Sequence, residues 1–194
     1  MKKVITLLAL FCVAIFAQDT FTDPRDGKKY KSVKIGSQIW FAENLNYDVE
    51  GSKCGNNEPE NCKKYGRLYN WNAAMKSCPK DWHLPSNEEW QILVDFVGGE
   101  KIAGKKLKAK SGWDADEGKS GNGTDNYGFS ALPGGLGSGD YFDHTGITGD
   151  WWSASENESY RNFSYHRYMR HDYEHVGGDG SFKSSLFSVR CVKD

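Results

Sequence analysis

The sequence predicts an α+β fold of antiparallel strands with one or two helices, a long loop region and a staple of disulfides. Three observations predict it. Helical spacing of apolar residues is confined to positions 69–109, strand-like runs of β-branched and aromatic residues lie on both sides, and four cysteines fall within residues 18–194. Strands do not alternate with helices one by one, so a parallel β-α-β sheet is not expected.

The chain opens with Lys2 and Lys3 ahead of an apolar run over 4–17. That run is too short for a stable membrane anchor and is predicted to be a signal peptide, residues 1–17. Ile15 and Ala17 place an aliphatic and a small residue at the two positions a signal peptidase inspects, and polar Gln18 and Asp19 follow. Lipidation at Cys12 is rejected because Phe11 before it is too bulky. Residues 18–194 then form one expected domain of 177 residues, long enough to bury a core. It carries 23 basic and 26 acidic residues, a balance with no footprint for nucleic acid and no patch for an anionic membrane. No other apolar stretch could span a bilayer. The expected location is secreted, extracellular or at the cell surface, with the periplasm as the alternative.

Asp26-Gly27 and Gly36-Ser37 are turn signals, and 29–35 with 38–42 are predicted to be a hairpin. Trp71, Ala74, Met75 and Cys78 recur at helical spacing, which predicts a short helix over 69–77 stopped by Pro79. A stronger helix follows. Ser86 is its N-cap with Glu89 as capping-box partner, Trp90, Leu93, Val94 and Val97 form one apolar stripe, and Gly98-Gly99 ends it. A helical turn is expected over 102–109, then loop chemistry over 111–127 around Trp113. Strands are predicted at 129–132, 140–144, 151–154, 162–170 and 186–192, with Gly-containing turns between them. In the last, Phe187, Val189 and Cys191 alternate with Ser188 and Arg190, as in a half-buried strand.

Cys54, Cys62, Cys78 and Cys191 are an even number, which in an exported protein reads as two disulfides. Three pairings are possible. Cys54 and Cys62 flank a polar loop that can close on itself without disturbing a core, which leaves Cys78 with Cys191.

Six phrases occur in order: Trp40-Phe-Ala-Glu-Asn-Leu-Asn-Tyr47, Tyr65-Gly-Arg-Leu-Tyr-Asn-Trp71, Cys78-Pro-Lys-Asp-Trp-His-Leu-Pro-Ser86, Gly128-Phe-Ser-Ala-Leu-Pro-Gly134, Trp151-Trp-Ser-Ala-Ser155 and Phe187-Ser-Val-Arg-Cys191. Together they closely resemble the Fibrobacter succinogenes major paralogous domain family, over about 26–193. Members of that family often carry Gly before the last phrase, where this chain has Leu186. The resemblance implies an exported protein and no settled activity. At fold level it implies a C-type-lectin-like fold, shared with formylglycine-generating enzymes and the receptor-binding variable proteins of some phages and bacteria. In that fold the termini lie together, an early cysteine bridges to the last strand, and a long loop region with the neighbouring sheet displays ligand contacts. Catalysis of the formylglycine-generating type needs a cysteine pair near the carboxyl end to bind copper. Only Cys191 lies there, so no catalytic residue is carried over.

His171-Asp172-Tyr173-Glu174-His175 matches His-x-x-Glu-His, a zinc-peptidase signature that requires a helix to put both imidazoles on one face. Its flanks read as strand or loop, so the histidines are expected to be solvated. Calcium is kept as an option, because Asp114, Asp116, Glu117, Asn122, Asp125 and Asn126 offer oxygen ligands, although Glu58-Pro59-Glu60 lacks the Asn of a sugar-binding motif. Otherwise no cofactor is expected. The aromatic set Tyr141, Trp151, Trp152, Tyr160, Tyr165, Tyr168 and Tyr173 is the most suggestive feature of the carboxyl half. Alternation sends about half of it inward, with Trp152 and Phe163 as the buried members. Ligand contacts are expected from Tyr141, Trp151, Tyr160, Tyr168 and Tyr173. The expected function is a non-catalytic binding module that holds a glycan or a surface protein on the surface of residues 111–180. The alternatives are a zinc-dependent hydrolase using His171, Glu174 and His175, and a structural surface protein.

Overall fold

The computed structural model describes residues 18–194, so the expected signal peptide and Cys12 lie outside the described residues. It is a mixed α+β structure. Strand β1 (Gln18–Thr22) pairs antiparallel with β2 (Lys29–Ile35), and β2 with β3 (Gln38–Phe41). Gly36, with φ of +61°, makes the tight turn between β2 and β3. The chain then places β4 (Ser52–Lys53), helix α1 (Pro59–Tyr65), β5 (Leu68–Tyr69), α2 (Trp71–Ser77), β6 (Trp82–His83), α3 (Asn87–Phe96) and α4 (Glu100–Leu107). Helix α2 starts at Trp71 because the Asn70 side chain accepts a hydrogen bond from Ala73 N. Helix α3 carries the full Ser86/Glu89 capping box. Helix α1 was not expected. The polar segment between Cys54 and Cys62 holds a 3₁₀ turn and then Pro59 at a helix start, where its missing N–H costs nothing.

The carboxyl half supplies a small hairpin, β7 (Ala115–Asp116) and β8 (Lys119–Ser120), then β9 (Leu136–Ser138), β10 (Tyr141–Asp143), β11 (Thr148–Glu156), β12 (Phe163–Arg170), β13 (Gly177–Phe182), β14 (Ser185–Ser188) and β15 (Val192–Lys193). The main path of the larger sheet runs β10-β9-β14-β11-β12-β13, antiparallel except for β11 beside β14, and β15 closes the other sheet in the order β1-β2-β3-β15-β6. The last strand therefore lies among the first ones.

Three strand expectations are corrected. Residues 129–132 form no strand, since Ser130 turns with φ of +53° and only Ala131 makes a bridge, to Lys108. The expected strand 186–192 is two strands in two different sheets, joined by Val189, Arg190 and Cys191 crossing the seam between them. All of 186–192 is buried, so alternation there does not separate core from solvent. The stretch between the strands expected at 162–170 and 186–192, where only a Gly-containing turn was expected, holds a further strand, edge strand β13.

Two clusters form the core. One gathers Trp40, Trp90, Leu93, Val94, Trp151 and Met169 under α3; the other gathers Phe41, Leu45, Trp71, Trp152, Phe187 and Val189 under α2. The disulfides pair Cys54 with Cys62 and Cys78 with Cys191. Among the described residues no helix is long and apolar enough to cross a membrane.

Candidate ligand-binding surface

At the seam, Arg190 is fully buried, and its guanidinium donates to Asn44 Oδ1 (2.7 Å from Nη2), Phe41 O (3.1 Å) and Phe129 O. Asn44 Oδ1 also accepts from Trp151 Nε1 (2.8 Å), and Asn44 Nδ2 donates to Tyr65 O (2.8 Å). Gly66 is required beside it, since a Cβ there would stand 2.8 Å from Asn44 Cβ. Burial without a carboxylate partner pushes the Arg190 pKa down to about 9. This knot explains the correction at Trp151. Its ring is fully buried and its N–H is committed, so it offers no surface to a ligand.

The remaining aromatic positions separate. Tyr141 is exposed on β10, at the opposite end of the sheet path from β13, with its hydroxyl donating to Asp143. Tyr173 is exposed beside His175, and the half-buried Tyr168 ring lies over Gly177, where a Cβ would come within 2.2 Å of it. Tyr160, 65% exposed, stands at the far end of β12 over a cavity of about 490 Å³.

That cavity follows from cross-strand register. Phe163, Tyr165 and Arg167 share one face of β12, and their partners on β13 are Phe182, Gly180 and Gly178. Side chains on one strand and glycines on the other make a wall beside a bare floor. Phe163, expected in the core, is only half-buried, its ring centroid 4.3 Å from that of the 56% exposed Phe182 in a tilted contact. Asn157 Oδ1 caps the loop by accepting from Ser159 N and Tyr160 N, which turns its Nδ2 over the floor, 3.4 Å from where a Gly180 Cβ would stand. Among the described residues that Nδ2 and the hydroxyls of Tyr160 and Tyr165 make no hydrogen bond. Tyr160 was legible from composition. Phe163, Phe182 and the glycine floor were not, because only the β12/β13 register puts them together.

A second cavity of about 470 Å³ continues from Gly178 past Tyr168, Arg167 and His175 to Glu100 and Lys101 at the start of α4. A third, of about 240 Å³, is rimmed by Lys28, Lys29, Lys63 and Lys64, of which Lys28 and Lys63 are paired with Asp26 and Glu60.

Residues 171–175 turn and bend instead of forming a helix. They wrap the buried Lys108 ammonium, which donates to Arg170 O (2.8 Å) and Tyr173 O (2.9 Å), with desolvation pushing its pKa down to about 8. His175 lies between Tyr168, which it meets edge-on, and Tyr173, which it meets tilted, away from any zinc geometry. In the loop considered for calcium, the Asp125 carboxylate accepts from Ser130 N and Oγ, and Asn122 Oδ1 accepts from Trp113 N. Among the described residues no group of three or more His, Cys, Asp or Glu side chains could hold a metal ion.

A family model described as the Fibrobacter succinogenes major domain matches residues 33–193. No curated protein and no solved structure matches the chain.

Proposed function

Since the chain belongs to the Fibrobacter succinogenes major domain family, whose name assigns no activity, we propose from its geometry that it is an exported, non-catalytic glycan-binding module of C-type-lectin-like architecture. The groove of Tyr160, Phe163 and Tyr165 over Gly178 and Gly180 carries the reading. Flat aromatic faces suit the C–H faces of sugar rings, and two phenols with a free amide N–H suit their hydroxyls. Among the described residues no aliphatic side chain lines the groove, whereas an apolar peptide anchor would need such a lining. Two disulfides fit an oxidising compartment. The return of the last strand beside the first ones fits the lectin-like topology.

Electrophoretic retardation in gels holding neutral or acidic polysaccharides tests the proposal. Tyr160→Ala and Tyr165→Ala should each reduce retardation while leaving the melting temperature close to that of the parent, since neither ring is core. A central aromatic contact is worth about 2 kcal/mol of binding. Undiminished binding in both variants would remove the groove from the reading, and no retardation by any polysaccharide would remove the glycan.

A further inference from the structure

The aromatic groove is half of a longer feature. It shares Gly178 with the second cavity, so the two join along β13, whose outer edge pairs with no other strand among the described residues. Six residues of β13 at about 3.3 Å each make a run of about 20 Å. A single sugar ring would fill only a fraction of that length.

The halves differ in chemistry. Around Tyr160 and Phe163 the walls are mainly aromatic, with Asp179 the one charged residue among them, while beyond Gly178 they carry Arg167, His175, Glu100 and Lys101. Arg167 stands at the joint with unused donors. Among the described residues its Nη2 makes only two long contacts, 3.4 Å each, to Asn87 O and Gln91 Oε1 of α3. Its Nε is buried without a hydrogen-bond partner among the described residues, and a Cβ on Gly178 would stand 3.1 Å from its Nη1. A hydroxyl-bearing chain crossing Gly178 would meet that guanidinium.

Resting on the glycan reading, we propose that this trench binds an internal segment of a linear polysaccharide, with sugar rings stacked on Tyr160, Phe163 and Tyr165 and the continuing chain hydrogen-bonded by Arg167 and His175. Selectivity then falls on chain length and linearity. Glycine at 178 and 180 is explained by the same function, because neither position has a positive φ that would demand it and both keep the floor clear.

Calorimetric titration with β-linked oligomers of glucose, xylose, mannose and N-acetylglucosamine, from mono- to hexasaccharide, is the test. For at least one series, affinity should rise roughly tenfold or more between the disaccharide and the pentasaccharide. Gly178→Val obstructs the joint, where a new Cβ comes nearest to the Arg167 side chain and to no backbone atom before it, and should bring the hexasaccharide down to the affinity of the disaccharide. Should that variant melt early, His175→Ala provides the same reading from the far half, with a selective loss for the longer oligomers. Equal affinity at every length, untouched by either variant, would overturn the trench while leaving the Tyr160 groove as a site for short glycans. No binding in any series would overturn both readings. Capture of unglycosylated peptides from a random library, abolished by Gly178→Val and with no oligomer bound, would assign the trench to a protein partner and overturn it as well.

Discussion

Arg190 brings a full charge into the interior with carbonyls and one amide as its partners, so its planar fork is what the site requires. Arg190→Lys supplies three donors on a flexible stem and leaves several of those acceptors unpaired. It should cost about 3 kcal/mol or more of folding stability by urea denaturation, and a near-neutral result would refute this account of the knot. Asp150 and His166 make the second residue-scale case. Asp150 Oδ1 lies 3.6 Å from His166 Nε2, beyond a hydrogen bond, and burial outweighs their attraction. Desolvation pushes Asp150 up to about 7 and His166 down to about 4. A carboxyl raised this way contributes stability at low pH that is lost as pH rises through about 7. A depressed imidazole contributes stability above its ordinary 6.5 that is lost as pH falls towards about 4. Between those limits the two slopes oppose each other in the parent protein. Asp150→Asn leaves the histidine slope alone, so its stability relative to the parent should climb from pH ~4 to ~7, by at most ~1.4 kcal/mol per pH unit. A difference that does not vary with pH would show that Asp150 titrates normally.

At the level of elements, the one that obeys local rules is α3, whose cap, stripe and stop are all written within the fourteen residues 86–99. Ser86→Ala should cost about 1 kcal/mol of stability, measured by thermal or urea unfolding, and a cost well below that would mean Glu89 and His83 hold the helix start by themselves. His83 sits between Glu89 (2.7 Å) and Asp194 (2.6 Å), tying that helix to the carboxyl terminus. Helix α4 is read less easily, because its packing is set from outside. A Cβ on Gly104 would stand 2.4 Å from His175 O, so Gly104→Ala should destabilise the protein although alanine is the better helix former. A melting temperature raised by that change would contradict the close approach of α4 to residues 174–175. Strand β13 escaped sequence reading for a related reason. Glycine pairs signal turns locally, and only Tyr168 lying over Gly177 and Arg167 beside Gly178 make them strand residues here.

Over the whole molecule, the two disulfides have unequal jobs. Cys54–Cys62 spans 8 residues and holds a surface segment, while Cys78–Cys191 spans 113 and joins the helical region to the seam. By chain entropy the first is worth about 2–3 kcal/mol and the second about 4–5. Replacing each pair with Ser should therefore lower stability much more for Cys78/Cys191, and equal losses would count against the entropic account. The six phrases that carry the family resemblance also become intelligible at this scale. Asn44, Gly66, Phe129, Trp151 and Arg190 come from five of them and meet at one buried knot, so those phrases encode the architecture, and the groove lies outside them. By itself the sequence determined the α+β class, the capped helix, the local Cys54–Cys62 closure that leaves Cys78 for Cys191, and the family, because caps, periodicity and a short cysteine loop act over short stretches of chain. Only the tertiary structure decided that Trp151 is core, that 186–192 divides between two sheets, and that Tyr160, Phe163 and two glycines make one groove. Those outcomes depend on which strands become neighbours and in what register, and register is settled by long-range burial that no local pattern contains.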